Sequence, residues 1–390
     1  MKHSIRYGLD KPICRTPHLP PDELIPNRPM TTPLTSRERV QRAMERRDQD
    51  RIPRHDTYWQ DTINRWETEG LTGGHEGAQA RLGSDFGFIN GIFWPFPFPS
   101  QHEVIAEDAE TRSIRDEWGA STKSFKDHQT TPEHLGWECA SPEIWHARFR
   151  PAITGQSVRI DLDDARRRYA RVRKEGKWAH ITGIEPFEIL RKLLGDVSSL
   201  MAMVEDPEWI ADICEVTTDN SLMNLQALLD AGIEPDGLWV YGDMAYNHAT
   251  MCSPDFYRRI VWPSHRRLCD WAHANGMKFI YHTDGDVNGV MDLYREAGFD
   301  CLQPLECKAR MDIRNLVPKY GDEMTFFGNI DVMAMIGNDL GEIEAELVSK
   351  FAAGKEKKGY IYHSDHSIPP QVSWQTYQSL VEMVQKHGNY

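Results

Sequence analysis

Acidic and imidazole side chains follow several short apolar segments of the sequence. His282 and Asp284 stand two residues apart, in HTD, and residues i and i+2 of a strand point to the same side. An imidazole and a carboxylate placed this way could share a divalent cation. Glu306 and His366 follow two other apolar segments. The residues that together offer nitrogen and oxygen ligands for zinc, or for another borderline metal, are His282, Asp284, Glu306 and His366.

Each of these residues also has an ordinary structural interpretation. Asp284 precedes Gly285 and could cap the following helix, because aspartate is a preferred N-cap residue. His282 could be a hydrogen-bonded histidine, and Glu306 a single satisfied polar group at a buried strand end. The residue pattern leaves both interpretations open.

Further polar side chains follow the remaining segments. In YGDM, Asp243 could be a general base, a substrate hydrogen-bond acceptor or a helix cap, and Tyr241 is a second candidate for proton transfer. The cluster HSDHSIPP at 363–370 is typical of a fixed loop at a pocket. The candidates for substrate binding are Glu185, Asn329, His363 and Asp365.

These side chains converge only if the segments before them are parallel strands. Short apolar runs alternate with amphipathic stretches from about residue 178, which predicts a parallel sheet with helices between its strands. The predicted strands are 52–56, 178–184, 237–242, 277–282, 300–305, 324–328 and 359–363, with an eighth within 84–150. The predicted helices are 207–230, 254–275, 287–297, 312–319, 340–354 and 373–386. The number of predicted strands favours an α/β fold, the TIM-type (β/α)₈ barrel. The active sites of this fold lie at the carboxyl ends of its strands.

The chain divides into three parts by composition. Residues 1–34 hold seven prolines and little apolar periodicity, which predicts an extended N-terminal arm on the body or on a neighbouring subunit. The barrel is predicted over 35–390, and Thr35 and Glu38 have the spacing of a capping box at its start. Residues 84–150 are irregular and rich in aromatic residues and proline, which indicates an inserted cap of hairpins and loops.

Composition excludes several classes of protein. The 45 Lys and Arg against 59 Asp and Glu give a net charge of −14, and without a basic stripe this argues against a nucleic-acid partner. No apolar run approaches the ~18 residues of a membrane span. Seven scattered cysteines without a CxxC pair favour a reducing cytoplasm over a disulfide framework. The expected partners are a small-molecule substrate and, as a candidate assembly, a second copy in a homodimer.

Five stretches carry a family resemblance. They are TSRERVQRAMERRDQDRIPRHD (35–56), YGDMAYNHATMCSPDFYRRIVWPSHRRLCDWAHANGMKFIYHTDGDV (241–287), LQPLE (302–306), FFGNIDV (326–332) and YIYHSDHSIPPQVSWQTY (360–377). Together they resemble the uroporphyrinogen decarboxylase superfamily, which includes decarboxylases and corrinoid-linked methyltransferases. The resemblance runs from about residue 35 to the end of the chain and is weakest over 84–150.

The resemblance implies a TIM-type barrel with its site at the carboxyl ends of the strands. In the methyltransferase members a His-x-Cys motif and a distal cysteine bind zinc. In this chain Asp284 occupies the position of the first cysteine, and His366 occupies the position of the distal cysteine. The decarboxylase signature Arg-Gln-Ala-Gly-Arg is missing, but Ser84-Asp85 resembles the Ser-Asp that carries the catalytic aspartate of those enzymes, so Asp85 is also a catalytic candidate.

The resemblance favours a metal-dependent methyltransferase or O-demethylase that exchanges a methyl group with a corrinoid (cobalamin) on a partner protein. A metal held by some of the four candidate ligands would act as a Lewis acid, and Asp243 or Tyr241 would move the proton. One alternative is a decarboxylase of a small or aromatic acid that uses Asp85 and His366 without metal. Another is a ligand sensor, which the density of buried acids at the strand ends disfavours.

Overall fold

The computed structural model describes residues 33–89, 95–127 and 132–390. The predicted arm, 1–34, falls almost wholly outside these residues. The strands are β1 Phe86–Phe88, β2 Glu103–Glu107, β3 Thr111–Arg115, β4 Ala120–Phe125, β5 Glu133–Trp137, β6 Trp178–Ile184, β7 Gly237–Tyr241, β8 Ala245–Tyr246, β9 Ala249–Thr250, β10 Lys278–Thr283, β11 Cys301–Pro304, β12 Thr325–Phe327 and β13 Tyr360–Ile361.

The helices alternate with the strands of the carboxyl-terminal half, as the sequence predicts. They are α1 Ser36–Met44, α2 Gln60–Thr68, α3 Gly74–Leu82, α4 Pro142–Ile144, α5 Arg150–Thr154, α6 Leu162–Lys174, α7 Pro186–Leu194, α8 Asp196–Glu205, α9 Pro207–Asp230, α10 Pro254–Phe256, α11 Trp262–Ala274, α12 Met291–Ala297, α13 Ile313–Tyr320, α14 Val332–Ile336, α15 Leu340–Lys355 and α16 Trp374–His387. The π-helical turns are Trp145–Phe149 and Tyr257–Val261, and the 3₁₀ turns are Asn288–Val290 and Cys307–Ala309.

The centre of the fold is a curled parallel sheet. In the described part of the chain it has seven strands in the order β1-β6-β7-β10-β11-β12-β13. This mixed α/β arrangement is TIM-like, and it confirms the parallel sheet expected from the alternation of strands and helices. The register sets His282 of β10 opposite Tyr241 of β7 on one side and Gln303 of β11 on the other.

The segment 53–56 lies between the two edge strands of this sheet, although it does not form the predicted strand 52–56. The backbone N–H of Tyr362 donates to the Pro53 carbonyl at 2.8 Å, and the N–H of Asp85 donates to the Arg54 carbonyl at 2.9 Å. Only isolated bridges form here, because Pro53 has no N–H to give to a ladder.

Helix α1 covers the amino end of the sheet interior. Its residues Val40, Ala43 and Met44 pack in one buried cluster with inward-facing side chains of the strands, such as Trp178 and Ile280. The helix begins at the predicted capping box: the Thr35 side chain accepts from the Glu38 backbone, and the Glu38 side chain accepts from the Thr35 backbone. Apolar packing therefore fills the amino end and leaves polar side chains for the carboxyl end.

The predicted helix 254–275 is interrupted by a π-helical turn. Ser253 caps α10, and Tyr257–Val261 then carries the extra residue of the π turn before α11. Pro263 explains the interruption, because a proline cannot donate to the ordinary helical ladder and its ring crowds the preceding turn. Residues 142–154, with Pro151, show the same succession.

Strands β2 to β5, between 103 and 125 and between 133 and 137, form a separate antiparallel sheet in the order β2-β3-β4-β5. These hairpins lie inside the irregular region 84–150, and its role as an inserted cap stays a prediction. Residues 34–390 form one compact unit. Among the described residues, no helix is both long and apolar enough to span a membrane.

Candidate functional site

Polar side chains from adjacent strands meet at the carboxyl end of the central sheet. Asp243 follows β7, His282 lies near the end of β10, and Asp284 follows it. One ligand atom from each of these three residues lies within 4.8 Å of the others. A distance of 3.8 Å separates Nε2 of His282 from Oδ1 of Asp243. The structure therefore brings together two of the predicted metal ligands and adds Asp243, which the sequence suggested for proton transfer.

Asp284 has the chemical character of a metal ligand. Its Oδ1 atom is buried and finds no hydrogen-bond partner among the described residues. Burial raises the pKa of Asp284; Asp243 and Glu306 raise it further, and His282 and His366 lower it. A buried carboxylate oxygen with no partner is costly, and a bound cation would satisfy it. The donor set of one imidazole and two carboxylates fits zinc.

Gln303 fixes the orientation of the His282 ring. Its side-chain oxygen accepts a hydrogen bond from Nδ1 of His282, and Nε1 of Trp239 donates to the same oxygen at 3.3 Å. With its proton on Nδ1, neutral His282 has its lone pair on Nε2, the atom that faces Asp243. A histidine held in this way is prepared to bind a metal. The sequence analysis missed Gln303, because an inward-facing glutamine in a fully buried strand has no distinctive spacing.

Glu306 and His366 flank the three central residues. Oε2 of Glu306 accepts from the Gly285 N–H at 2.9 Å, and its Oε1 lies 2.9 Å from Nζ of Lys308. Nε2 of His366 lies 3.7 Å from Oδ2 of Asp284. Both residues are near enough to influence Asp284, and Glu306 already has partners for both of its oxygens.

The His366 ring lies against an aromatic side chain at the rim of the site. It stacks on Trp59 with ring centroids 5.7 Å apart. Trp59 is half exposed, at 50%. The fourth predicted ligand is therefore held in place by packing rather than by a hydrogen bond to the cluster.

Tyr241 lies beside the cluster on β7. Its ring meets the His282 ring edge-on at 5.6 Å, and its hydroxyl donates to Oε1 of Glu188 at 3.3 Å. Burial raises the pKa of Tyr241, and the Glu188 and Asp243 carboxylates raise it further. The Tyr241 hydroxyl is therefore protonated at neutral pH and cannot serve as a base.

The structure gives Glu185 partners inside the protein. This fully buried residue caps α7, accepting from the N–H groups of Phe187 at 2.7 Å and Glu188 at 2.9 Å. Its Oε2 is also 2.7 Å from Nε2 of His265. A Cβ atom at Gly242 would lie 1.7 Å from Oε1 of Glu185, so only glycine fits there. Glu185 is not brought to the cluster.

Asn329 is likewise buried among structural partners. Its Oδ1 accepts from the Ile313 N–H at 3.0 Å and from Nζ of Lys350 at 2.5 Å. Its Nδ2 donates to the carbonyl oxygens of Leu305, at 2.6 Å, and Met311. These bonds tie the loops after β11 and β12 together and leave the side chain no donor for a substrate.

His363 and Asp365 lie on the loop after β13, and their polar atoms already have hydrogen-bond partners within the protein. Burial lowers the pKa of His363 to about 3, so this ring is neutral, and its Nε2 lies 3.3 Å from the Thr57 hydroxyl. Burial raises the pKa of Asp365 to about 6, while the N–H groups of Val332 and Cys307 each donate to it at 2.9 Å.

Asp85 lies at the other end of the sheet. It precedes β1 and is fully buried, with Arg39 at 2.9 Å and Arg51 at 2.7 Å. The Ser36 hydroxyl donates to it at 2.6 Å, and the Arg54 N–H at 2.9 Å. The two arginines neutralise this carboxylate, and the structure does not bring it to His366 or to the other candidate residues.

A cavity of about 730 Å³ leads from His282 into the interior of the curled sheet. Its wall includes Tyr241, Trp239, His180 and His55. The sequence analysis missed Trp239 and His180, because strands buried on both faces do not alternate apolar with polar residues, and it did not single out His55. The cavity joins the candidate metal ligands to a volume typical of pockets for small molecules.

Fold and site define a TIM-like α/β protein with a candidate metal centre at the carboxyl end of its parallel strands. A sequence model of the uroporphyrinogen decarboxylase (URO-D) family matches residues 185–387. The chain belongs to the URO-D family. This confirms the resemblance seen in the sequence motifs, and the matched residues include all four predicted metal ligands.

Two solved structures align with the chain to different extents. A methyltransferase from Methanosarcina mazei aligns with a TM-score of 0.60 and 15% identity, covering 90% of this chain and 99% of that one. A B12-independent methionine synthase from Shewanella sp. W3-18-1, in complex with selenomethionine, aligns with a TM-score of 0.41 and 10% identity, covering 80% and 83%. No curated protein sequence matches the chain. The alignment with the Methanosarcina mazei methyltransferase shows the TIM-like fold that the parallel sheet also indicates.

Proposed function

We propose that the chain is a metal-dependent methyltransferase that removes a methyl group from a small methylated compound, as in O-demethylation. The observation that carries this proposal is the meeting of Asp243, His282 and Asp284 within 4.8 Å, with one Asp284 oxygen buried and unpartnered. A binding site of this composition at the carboxyl end of parallel strands is where this fold class places its chemistry. Family membership is consistent with either methyl transfer or decarboxylation, and the metal site favours the former.

Zinc is the cation that suits the donors best, with His282, Asp243 and Asp284 as ligands and Glu306 or His366 as a fourth. When bound, it would supply a Lewis acid beside the ether oxygen of the substrate. Gln303 holds the His282 ring for this role, and the buried Oδ1 of Asp284 has no hydrogen-bond partner among the described residues.

Tyr241 is the proposed proton donor. Tyr241 lines the cavity, and its hydroxyl is protonated at neutral pH. In the transfer, the carbon–oxygen bond of the methyl ether breaks and the oxygen keeps the electron pair. That oxygen takes the Tyr241 proton and leaves as an alcohol or phenol, and the tyrosinate regains a proton from water. Glu188, 3.3 Å from the Tyr241 hydroxyl, orients the donor between turnovers.

The methyl acceptor is proposed to be a cob(I)alamin-type corrinoid, whose electron pair forms the new carbon–cobalt bond. A partner protein would carry it to the open end of the site, beside Trp59 and His366. We also propose that the sheet closes into a full eight-strand barrel and that residues 1–34 form an extended arm. The contacts of 53–56 with both edge strands support closure of the sheet.

The test is zinc binding followed by methyl transfer. The full chain is titrated with Zn²⁺ against a chromophoric chelator and then mixed with methoxylated substrates and cob(I)alamin, whose absorbance reports methylation. Asp284→Asn should lose zinc affinity and methyl transfer. Asp270→Asn, an exposed aspartate of α11 in an ion pair with Arg266, is the matched control and should lose neither. A wild-type chain that binds no zinc, or releases carbon dioxide from aromatic acids without corrinoid, would overturn the proposal.

A further inference from the structure

Helix α8 exposes a row of apolar side chains to solvent. Val197, Met201 and Val204 are 72%, 53% and 84% exposed, and their spacing of four and three residues places them on one face of the helix. Together they form the α8 stripe. In the part of the chain that the structure describes, no other large apolar side chain is as exposed as Val197 and Val204. The opposite face, with Ala202 and Met203, is buried, and the helix packs against α7 and α9. Clustered apolar exposure of this kind marks an interaction surface.

The α8 stripe begins at the rim of the candidate metal site. Arg191 of α7 connects the two: its Nη1 donates to the carbonyl oxygen of Asp243 at 3.2 Å, and its Nε donates to Oδ1 of Asp196 at 2.7 Å. Asp196 is the first residue of α8, and Val197 follows it. At about 1.5 Å per residue, Val204 lies about 10 Å further along the helix axis. A protein bound to the stripe would therefore stand beside the site.

Three other segments at this end of the sheet also expose a large apolar side chain. Tyr246 follows β7, Met333 follows β12, and Trp59 follows the segment 53–56. Each of these side chains is at least half exposed. Apolar surface is thus available on several of the segments that follow the strands, and α8 carries its longest continuous row.

The surroundings of the α8 stripe are acidic. Residues 195–208 include four acidic residues and no basic one. Asp196 is paired with Arg191, and Asp206 caps α9. Glu205 and Glu208 are exposed and form no ion pair with the described residues. A complementary partner would surround its own apolar patch with lysine or arginine.

The size and the charge of the α8 stripe argue against a second copy of this chain as its occupant. Side chains of this size bury roughly 60–120 Å² each, so three of them supply roughly 200–350 Å². A stable interface buries about 800 Å² on each partner, and smaller contacts are typical of complexes that form and dissociate quickly. Two copies joined through α8 would also bring one acidic surface against another, which is unfavourable. A transient partner of opposite charge meets neither difficulty.

We propose that the α8 stripe is the docking surface for a partner protein whose apolar patch is rimmed by lysine or arginine, and which binds only transiently. The assignment names the surface used by the partner of the proposed function, and rests on that function only for what the partner carries. A carrier that accepts one methyl group must leave after each transfer, and a small contact permits this because it dissociates quickly. The contact itself needs neither the metal nor a substrate.

Two fluorescein-labelled amphipathic peptides test the surface by fluorescence anisotropy with the full chain. One contains three repeats of Leu-Lys-Lys-Leu-Leu-Lys-Lys, and the other has glutamate in place of lysine. The basic peptide should bind more tightly than the acidic one. Because a net charge of −14 attracts any basic peptide, two lysine variants decide whether the contact is at α8.

Val204→Lys should weaken binding of the basic peptide at least about tenfold, because it removes an apolar contact and repels the lysines of the peptide. Val348→Lys makes the same change at a valine of α15 that is 44% exposed, and this matched control should leave binding unchanged. Both positions are on the surface, so neither substitution should disturb folding.

An equal effect of the two lysine substitutions, or failure of the basic peptide to bind, would overturn the assignment. Sedimentation velocity examines the other occupant: a wild-type dimer that Val204→Lys dissociates would assign the stripe to a second copy and overturn the proposal as well. Peptide binding that is lost only in Val204→Lys, without methyl transfer to cob(I)alamin, would leave the docking surface standing and remove the proposed function. Methyl transfer without such selective binding would do the reverse, so the two failures are distinguishable.

Discussion

Gln303 offers the sharpest test of how the candidate metal site is held. Its oxygen accepts from both His282 and Trp239, so Gln303→Met would remove one acceptor and leave two donors without it. The His282 ring could then turn, and loss of such a partner typically weakens metal binding by about 10–100-fold. This corresponds to about 1.4–2.7 kcal/mol of binding free energy. We expect the zinc dissociation constant to rise by this factor.

Stability should fall in the same variant for a separate reason. Trp239 is 9% exposed, and a buried donor without a partner costs about 1–3 kcal/mol. His282 contributes less, because its side chain is 26% exposed and water can reach it. The free energy of unfolding, measured with urea, should therefore drop by about 1–3 kcal/mol, dominated by the indole.

The assay is competition for Zn²⁺ with a chromophoric chelator, applied to a short series of variants. Gln303→Glu keeps an acceptor oxygen and should retain zinc affinity. Gln226→Met, on a glutamine paired with Asp230 on α9, is the matched control for the change of side chain. If Gln303→Met binds zinc within about twofold of the wild-type chain while Asp284→Asn is weakened, His282 is not positioned through Gln303.

Three further predictions concern stability. Because His180 stays neutral in the folded chain down to about pH 3, the unfolded chain binds one more proton at this residue between pH 6.5 and 3. His180 alone should therefore lower stability by about 1.4 kcal/mol per pH unit as the pH drops, and His180→Phe should lose that contribution. Gly242→Ala should destabilise the fold by at least about 1–3 kcal/mol, because the new Cβ would overlap Glu185, whereas Gly289→Ala meets nothing within 4 Å. Asp85→Asn should cost about 3–5 kcal/mol by breaking a buried ion pair, yet leave zinc affinity unchanged.

Urea titrations at several pH values and chelator competition measure all three. An unaltered slope of stability against pH in His180→Phe would contradict the assignment of a neutral, buried His180. Equal stability of the two alanine variants would show that Glu185 has room to move. Loss of zinc affinity in Asp85→Asn without loss of stability would indicate a role in the site rather than in the fold.

The sequence predicts the sheet well because its strands are short apolar runs followed by polar loops. The predicted strand 178–184 is β6, and the predicted helix 207–230 is α9. The segment 52–56 fails as a strand, since a proline removes its ladder, and the helix at 254–275 contains a π turn before Pro263. Local composition predicts where an element starts more reliably than how it bends.

The site is predicted only in part, for a physical reason. The strand-end positions of His282 and Asp284 follow from spacing, and the structure brings them together. Glu185 and Asn329 also follow strands directly in the sequence. In the structure, however, Glu185 caps a helix and Asn329 ties two loops together. Whether a strand-end polar group faces the cavity or the helices depends on the register of neighbouring strands, which spacing within one strand does not encode.

The loop after β10 is fastened on both sides. The Asp284 N–H donates to Asp243 at 3.2 Å, the Gly285 N–H donates to Glu306 at 2.9 Å, and a Cβ atom at Gly285 would come within 2.5 Å of the Ala245 carbonyl carbon. The conformational entropy of this loop is thus lost when the chain folds, and an incoming cation would have little left to order. A donor set that cannot rearrange admits a narrow range of coordination geometries. Discrimination among cations at this loop should therefore follow ionic size and preferred geometry rather than affinity alone.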